Sequence, residues 1–158
     1  MKVYKVFCGE ILMELKEMYL NEYRPRLNAG RLVIPRSFSN TYEIRMGKEM
    51  EEIYGVLEER EDFQFYSFYE DDFDGRERLE IKNLFAGDRV VNKRVSIPLG
   101  VRRGLGLGSN DRVLVQGFEN SFSLWNLETF RDYISNFDSE TFREEYGKLL
   151  ELSRTSRL

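Results

Sequence analysis

Apolar and polar residues alternate with a period of two at two places that are near copies of each other. Leu32 and Ile34 alternate with Arg31 and Val33, and Val95 and Ile97 alternate with Arg94 and Ser96, so each stretch predicts a short strand with one apolar face. Pro35 and Pro98 follow directly. Proline lacks a ladder donor and presets φ, so both predict the end of the strand and the opening of a turn or helix. Arg31 and Arg94 lie 63 positions apart, and the shared R-x-x-I-P is an internal repeat, the first organisational feature to seek in a chain.

After the second copy, residues 99–105 predict a short helix with Val101 and Leu105 four apart, stopped by Gly106 and Gly108. Val113-Leu114-Val115 predicts a buried strand, residues 119–121 a hairpin loop, and Phe122, Leu124 and Trp125 the return strand. Asn126 is placed to cap a helix through Phe130, Tyr133, Ile134 and Phe137, and a further amphipathic stretch carries Phe142, Tyr146, Leu149, Leu150 and Leu152 before a frayed end at 153–158. The first copy continues differently. Met46, Met50, Ile53, Tyr54 and Leu57 predict a helix over 44–57, residues 63–68 a strand, 69–75 an acidic turn and 79–85 a strand. Ahead of it, Ile11, Leu12, Leu15 and Met18 predict an amphipathic helix over 10–20 that ends before Pro25.

Composition adds a folded character, since 41% of the 158 residues are hydrophobic and 14% aromatic. No apolar run approaches the roughly 20 residues that span a bilayer, and Glu10, Glu14 and Glu17 break any signal-peptide pattern. The single cysteine, Cys8, predicts a buried small hydrophobe in a reducing cytoplasm rather than a disulfide. The net charge of −4 conceals an uneven distribution. Residues 43–80 hold 14 acidic and 5 basic side chains, a local −9 that leaves +5 for the rest. Arg24, Arg26, Arg31 and Arg36 crowd 24–36 without an acid, and Arg89, Lys93, Arg94, Arg102 and Arg103 crowd 88–103 against Asp88 alone. Local field decides whether a phosphate backbone is attracted, so both copies of the repeat are candidate nucleic-acid contacts. A solvated, salt-bridged face accounts for the charge equally well.

Catalytic chemistry finds little support. The chain has no histidine, which removes the commonest general base, and with one cysteine it cannot build a structural zinc site. Gly104, Gly106 and Gly108 lack the Lys-Ser/Thr of a phosphate-binding loop. Residues 70–75 suggest a calcium loop until Gly75 is set as its sixth position, which puts Ile81 where a bidentate carboxylate belongs. Trp125 and the alternating phenylalanines are expected in the core rather than stacked on bases. No enzyme, cofactor, metal or small-molecule substrate is expected.

Gly30-Arg31-Leu32-Val33-Ile34-Pro35, the arginine-bearing helix at 101–105 and the hairpin ending at Leu124-Trp125 together resemble the MraZ family of the AbrB-like (SpoVT-AbrB) superfamily. The likeness is best over 83–133, from Phe85-Ala86-Gly87 through Lys93–Pro98, Gly104–Leu107 and Gly117, and reaches back to Leu27 through a looser middle. It implies an α+β fold of two tandem swapped-hairpin β modules forming a pseudo-dimeric barrel with flanking helices. The modules would occupy 1–82 and 83–137, with a helix and tail at 138–158. It further implies a ring-shaped homo-oligomer in the cytoplasm, associated with the nucleoid, that binds repeated sites in promoter double-stranded DNA. Leu27 and Val90 stand where the family carries an aspartate four residues before the arginine, with Asn28 and Asn92 nearby, and Lys93 replaces the usual glycine. On physical grounds Arg31 and Arg94 offer the planar donor fork that matches guanine edges and phosphates, whereas Lys93, Arg36, Arg102 and Arg103 suit phosphate positioning. Two alternatives stay open: a ring-forming assembly protein that has lost DNA recognition, and an AbrB-type antitoxin that captures a partner through 134–158.

Overall fold

The computed structural model describes residues 3–5, 12–136 and 147. Cys8, the amphipathic stretch at 142–152 apart from Gly147, and the expected frayed end lie outside the described residues. The fold is mixed α+β. Strands β1 (Val3–Lys5) and β2 (Leu12–Glu14) pair with each other, and a 3-10 turn follows at Leu15–Glu17. The remaining strands are β3 (Glu22–Tyr23), β4 (Arg31–Ile34), β5 (Glu52–Arg60), β6 (Phe63–Tyr69), β7 (Glu77–Ala86), β8 (Arg89–Ser96), β9 (Val113–Phe118) and β10 (Ser121–Asn126). They form one antiparallel sheet, ordered β3-β9-β10-β6-β5-β7-β8-β4, that curls into a half-barrel. Helix α1 (Arg36–Met46) follows β4, α2 (Leu99–Gly104) follows β8, and α3 (Leu127–Asn136) follows β10.

Both prolines stop their strands as expected, and their carbonyls accept the first helical bonds, Pro35 from Phe38 and Ser39 and Pro98 from Arg102. The inner faces of the strands and of α1 enclose the main core, where Leu32, Ile34, Phe38, Tyr42, Ile53, Phe68, Val95 and Phe122 have lost nearly all contact with water. On the other side of β6, β9 and β10, α3 covers a smaller cluster. There Trp125 stacks on Phe65 with ring centroids 4.4 Å apart and the planes at 11°, flanked by Phe130 and Tyr133. Asn126 caps α3 as its sequence position implied, its Oδ1 accepting from the N–H groups of Glu128 and Thr129.

Two expected helices do not form as such. The helix expected over 44–57 ends at Met46, because Gly47 takes a left-handed φ of 70° and returns its N–H to Glu43 O. The helical face is instead Phe38, Thr41 and Tyr42, and beyond it Ile53 and Gly55 point inward from β5 while their neighbours are half-buried. Over its described part, 12–20, the helix expected over 10–20 is replaced by β2, the 3-10 turn and an extended stretch in which Tyr19 bridges Glu119. Tertiary pairing decides that segment. The Tyr19 backbone crosses Gly117 so closely that a Cβ there would lie 2.6 Å from it.

The strand registers share one symmetry. In the β4–β8 pairing Leu32 faces Val95, flanked by Arg31 with Ser96 and by Val33 with Arg94. Under the 63-residue repeat these flanking pairs exchange and the central pair maps onto itself. Across the sheet, Ser67 faces Ser123, with Tyr66–Leu124 and Phe68–Phe122 on either side. The β5–β6 hairpin adjoins β7, the strand before the second motif, and the β9–β10 hairpin adjoins β3, the strand before the first. One feature breaks the symmetry. β7 and β8 form a long hairpin, whereas residues 24–30 leave β3 and are pinned to the 108–112 loop by Leu27 N–H to Asp111 O, Gly30 N–H to Ser109 O and Val113 N–H to Pro25 O.

Candidate nucleic-acid interface

β4 buries Leu32 and Ile34 and turns Arg31 and Val33 outward; β8 buries Lys93, Val95 and Ile97 nearby and turns Arg94 and Ser96 outward. Paired residues share a face, so Arg31 and Arg94 stand on the outer surface as diagonal neighbours, a placement that sets Cα atoms roughly 7–8 Å apart. The two motif arginines are thereby brought together about the centre of the β4–β8 pairing. Arg31 belongs to the first position of its strand, but Arg94 lies well inside β8 rather than in a loop.

Neither arginine forms an ion pair among the described residues. Arg31 donates through Nε to Asn28 O at 3.3 Å, and the Arg94 Nε is buried with no acceptor. Lys82 on β7 is directly opposite Arg94, so a second cation stands on the same face. Like charges placed opposite each other destabilise a sheet unless an anion or solvent screens them.

The other expected contacts divide. Lys93 is buried, donates from Nζ to Asn83 Oδ1 at 2.9 Å and lies 3.9 Å from a Glu49 carboxylate oxygen, so its charge is engaged inside the fold. Arg36 donates to Val91 O at 2.7 Å, tying α1 to β8 beside a cleft of about 430 Å³ that Arg89, Glu43 and Glu49 also line. Arg102 donates from Nε to Ile97 O at 3.2 Å and lays its guanidinium across Gly30, whose absent Cβ would sit 2.8 Å from the Arg102 Cζ. Gly30 has φ of 77° and therefore sets the entry into β4 with the arginine of the other half resting on it. Arg103 is exposed in the last turn of α2.

The replaced aspartate positions have a physical explanation in one half. Leu27 is 1% exposed and packs in the main core, which draws the segment before Arg31 inward. Val90 is 41% exposed and pairs with Phe85 near the tip of the β7–β8 hairpin. Lys82 and Arg112 are basic residues that sequence reasoning did not single out, whereas Arg26 belonged to the basic stretch at 24–36 without being assigned a contact. Lys82 was within reach, since it alternates with the inward Leu79 and Ile81. Arg112 carried no local signal.

Glu80 shares the exposed face of β7 with Lys82, and Glu52 lies opposite it on β5. Glu70 accepts from the Tyr19 hydroxyl at 2.8 Å and from Arg45 Nε and Nη2 at 2.7 and 3.0 Å. Burial, then the Glu70 charge, pushes the Tyr19 phenol far above its ordinary value, while the Glu70 hydrogen bond holds the Arg45 guanidinium protonated. Glu52 pairs with Arg78 at 2.5 Å and its carboxyl is lowered by that bond and by one from Tyr54. No grouping of acids, histidine or cysteine fit to hold a metal occurs among the described residues. Among them, too, no helix is long and apolar enough to cross a membrane. In comparison with known proteins, no family model and no curated sequence matches the chain.

Proposed function

We propose that this chain is a DNA-binding transcriptional regulator of the MraZ type, built from two AbrB-like swapped-hairpin modules that form a pseudo-dimer. The observation that carries the reading is the juxtaposition of Arg31 and Arg94 on one outer face, related by the repeat and free of any carboxylate among the described residues. A symmetric pair of planar donor forks suits the paired phosphates and guanine edges of a duplex. Arg102 and Arg103 supply phosphate contacts beside them, and Lys93 orders the hairpin from within. The chain acts as a ring-shaped homo-oligomer at the nucleoid, where repeated promoter sites engage several copies and weak contacts add through effective concentration. The test is a mobility shift against the gene's own upstream DNA, with mass determination in solution. Retention by wild type and loss on Arg31→Ala with Arg94→Ala, in an assembly of unchanged mass, supports the reading.

One observation favours the assembly reading instead. Phe85 is 63% and Val90 41% exposed as a cross-strand apolar pair, an arrangement suited to protein contact. Intact oligomers that fail to shift any duplex at low salt support that alternative.

A further inference from the structure

Arg26 and Arg112 face each other across an isolated antiparallel bridge, and both are exposed. Two guanidinium groups in such close register repel, yet the fold fixes both. Arg26 Nη1 donates to Asn110 O at 3.3 Å and Arg112 Nη1 to Arg24 O at 2.7 Å. Neither has an ion-pair partner among the described residues; Asp111, the acid between them in the loop, is turned to the Gly108 N–H at 2.7 Å. The backbone beneath is held as well, by Ala29 N–H to Asn110 Oδ1 at 3.0 Å and by the bonds that pin 25–30 to 109–113. Carbonyl acceptors orient a guanidinium without neutralising it, so most donors of both forks remain for an anion.

The strap that carries Arg26 reverses at Ala29-Gly30, both at positive φ, so that Asn28 and Arg31 exchange backbone bonds and Arg31 starts the returning strand. Arg31 and its diagonal neighbour Arg94 follow that turn, and Arg102 lies over Gly30 within it. The repeat gives the same spacing in the second half, where Arg89, also exposed, precedes Arg94 by five residues as Arg26 precedes Arg31. We infer that Arg26 and Arg112 form a second, preorganised phosphate site that grips the DNA backbone alongside the motif arginines. The inference rests on the proposed function and adds to it the surface that sets the duplex in register. A site on backbone phosphates carries no sequence information, so its loss weakens every duplex alike.

The experiment measures affinity of the full chain for its upstream DNA and for a scrambled duplex across a salt series. Wild type is compared with Arg26→Gln/Arg112→Gln, which removes both charges and keeps a polar side chain at each position, and with Lys48→Ala as a control for general charge loss. Each neutralised phosphate contact contributes about 0.9 to the slope of log affinity against log salt. The double variant is therefore expected to lose about 2 from that slope, by the same amount on both duplexes, with unfolding midpoint and mass unchanged and Lys48→Ala behaving as wild type. A wild-type slope in the folded double variant overturns the phosphate site and leaves the functional reading standing. Failure of wild type to bind either duplex overturns the functional reading, and this inference with it.

Discussion

Removing the Glu70 carboxylate is expected to destabilise the fold far more than removing a surface ion pair. Glu70 and Arg45 have side-chain exposures of 9% and 20%, and their pairing is bidentate. The same carboxylate accepts from Tyr19, whose exposure is 0%, while Arg45 Nη1 donates to Glu17 O at 3.0 Å. The cluster ties the segment before β3 to α1 and to the end of β6. An exposed pair contributes about 0–1 kcal/mol, and breaking a buried one by deleting a partner costs about 3–5 kcal/mol. Arg45 keeps some access to water and recovers part of its hydration, so Glu70→Ala is expected to cost about 2–4 kcal/mol. With a urea dependence of about 2 kcal/mol/M, the unfolding midpoint falls by about 1–2 M. Glu70→Gln, which keeps an acceptor for Tyr19, is expected to lose less. Arg45→Met combined with Glu70→Ala is expected to lose less than the sum of the two single changes, since neither charge is then stranded. A loss below about 1 kcal/mol for Glu70→Ala refutes the reasoning, because it would give the cluster the weight of an exposed pair.

Tyr66→Phe is expected to be neutral or stabilising by up to about 1 kcal/mol, since the Tyr66 hydroxyl is buried without an acceptor; a loss above that in thermal unfolding counts against an unsatisfied hydroxyl. Gly117→Ala is expected to cost about 1–3 kcal/mol, because the new methyl meets the Tyr19 backbone rather than a movable side chain, and a midpoint equal to wild type contradicts that close approach. Burial foremost raises the phenols of Tyr19 and Tyr66, so the stability they contribute is full below the unfolded tyrosine value of about 10 and declines as pH rises above it. Phenolate absorbance followed with circular dichroism should show these two ionising only as the chain unfolds. Ionisation of all nine tyrosines in the folded state contradicts it.

The second half of the chain was legible because its signals are local. Pro98 before α2, Asn126 at the head of α3 and the alternation through Phe122, Leu124 and Trp125 each act within a few residues. In the first half, Met46, Met50, Ile53 and Leu57 also satisfy a helical period, and only the left-handed Gly47 separates a helix from a strand there. Tyr19 and Leu20 depend on Glu119 and Gly117, nearly a hundred positions away, which no local window contains. At the site, repetition was enough to single out Arg31 and Arg94. Their meeting on one face required the pairing of β4 with β8. The burial of Lys93 was readable after all, since it shares strand parity with Val95 and Ile97. Arg112 became a neighbour of Arg26 only through long-range pairing.

The most direct test of the central claim is equilibrium binding of the gene's upstream DNA by wild type and by Arg31→Ala/Arg94→Ala, with the mass of each assembly determined in the same buffer. Wild type is expected to bind with an affinity that falls steeply as salt rises, and to prefer that DNA over a scrambled duplex. The double variant is expected to keep its mass and to lose the preference along with most of the affinity. Equal binding by wild type and the folded, assembled variant contradicts the claim that the two outward arginines form the DNA contact.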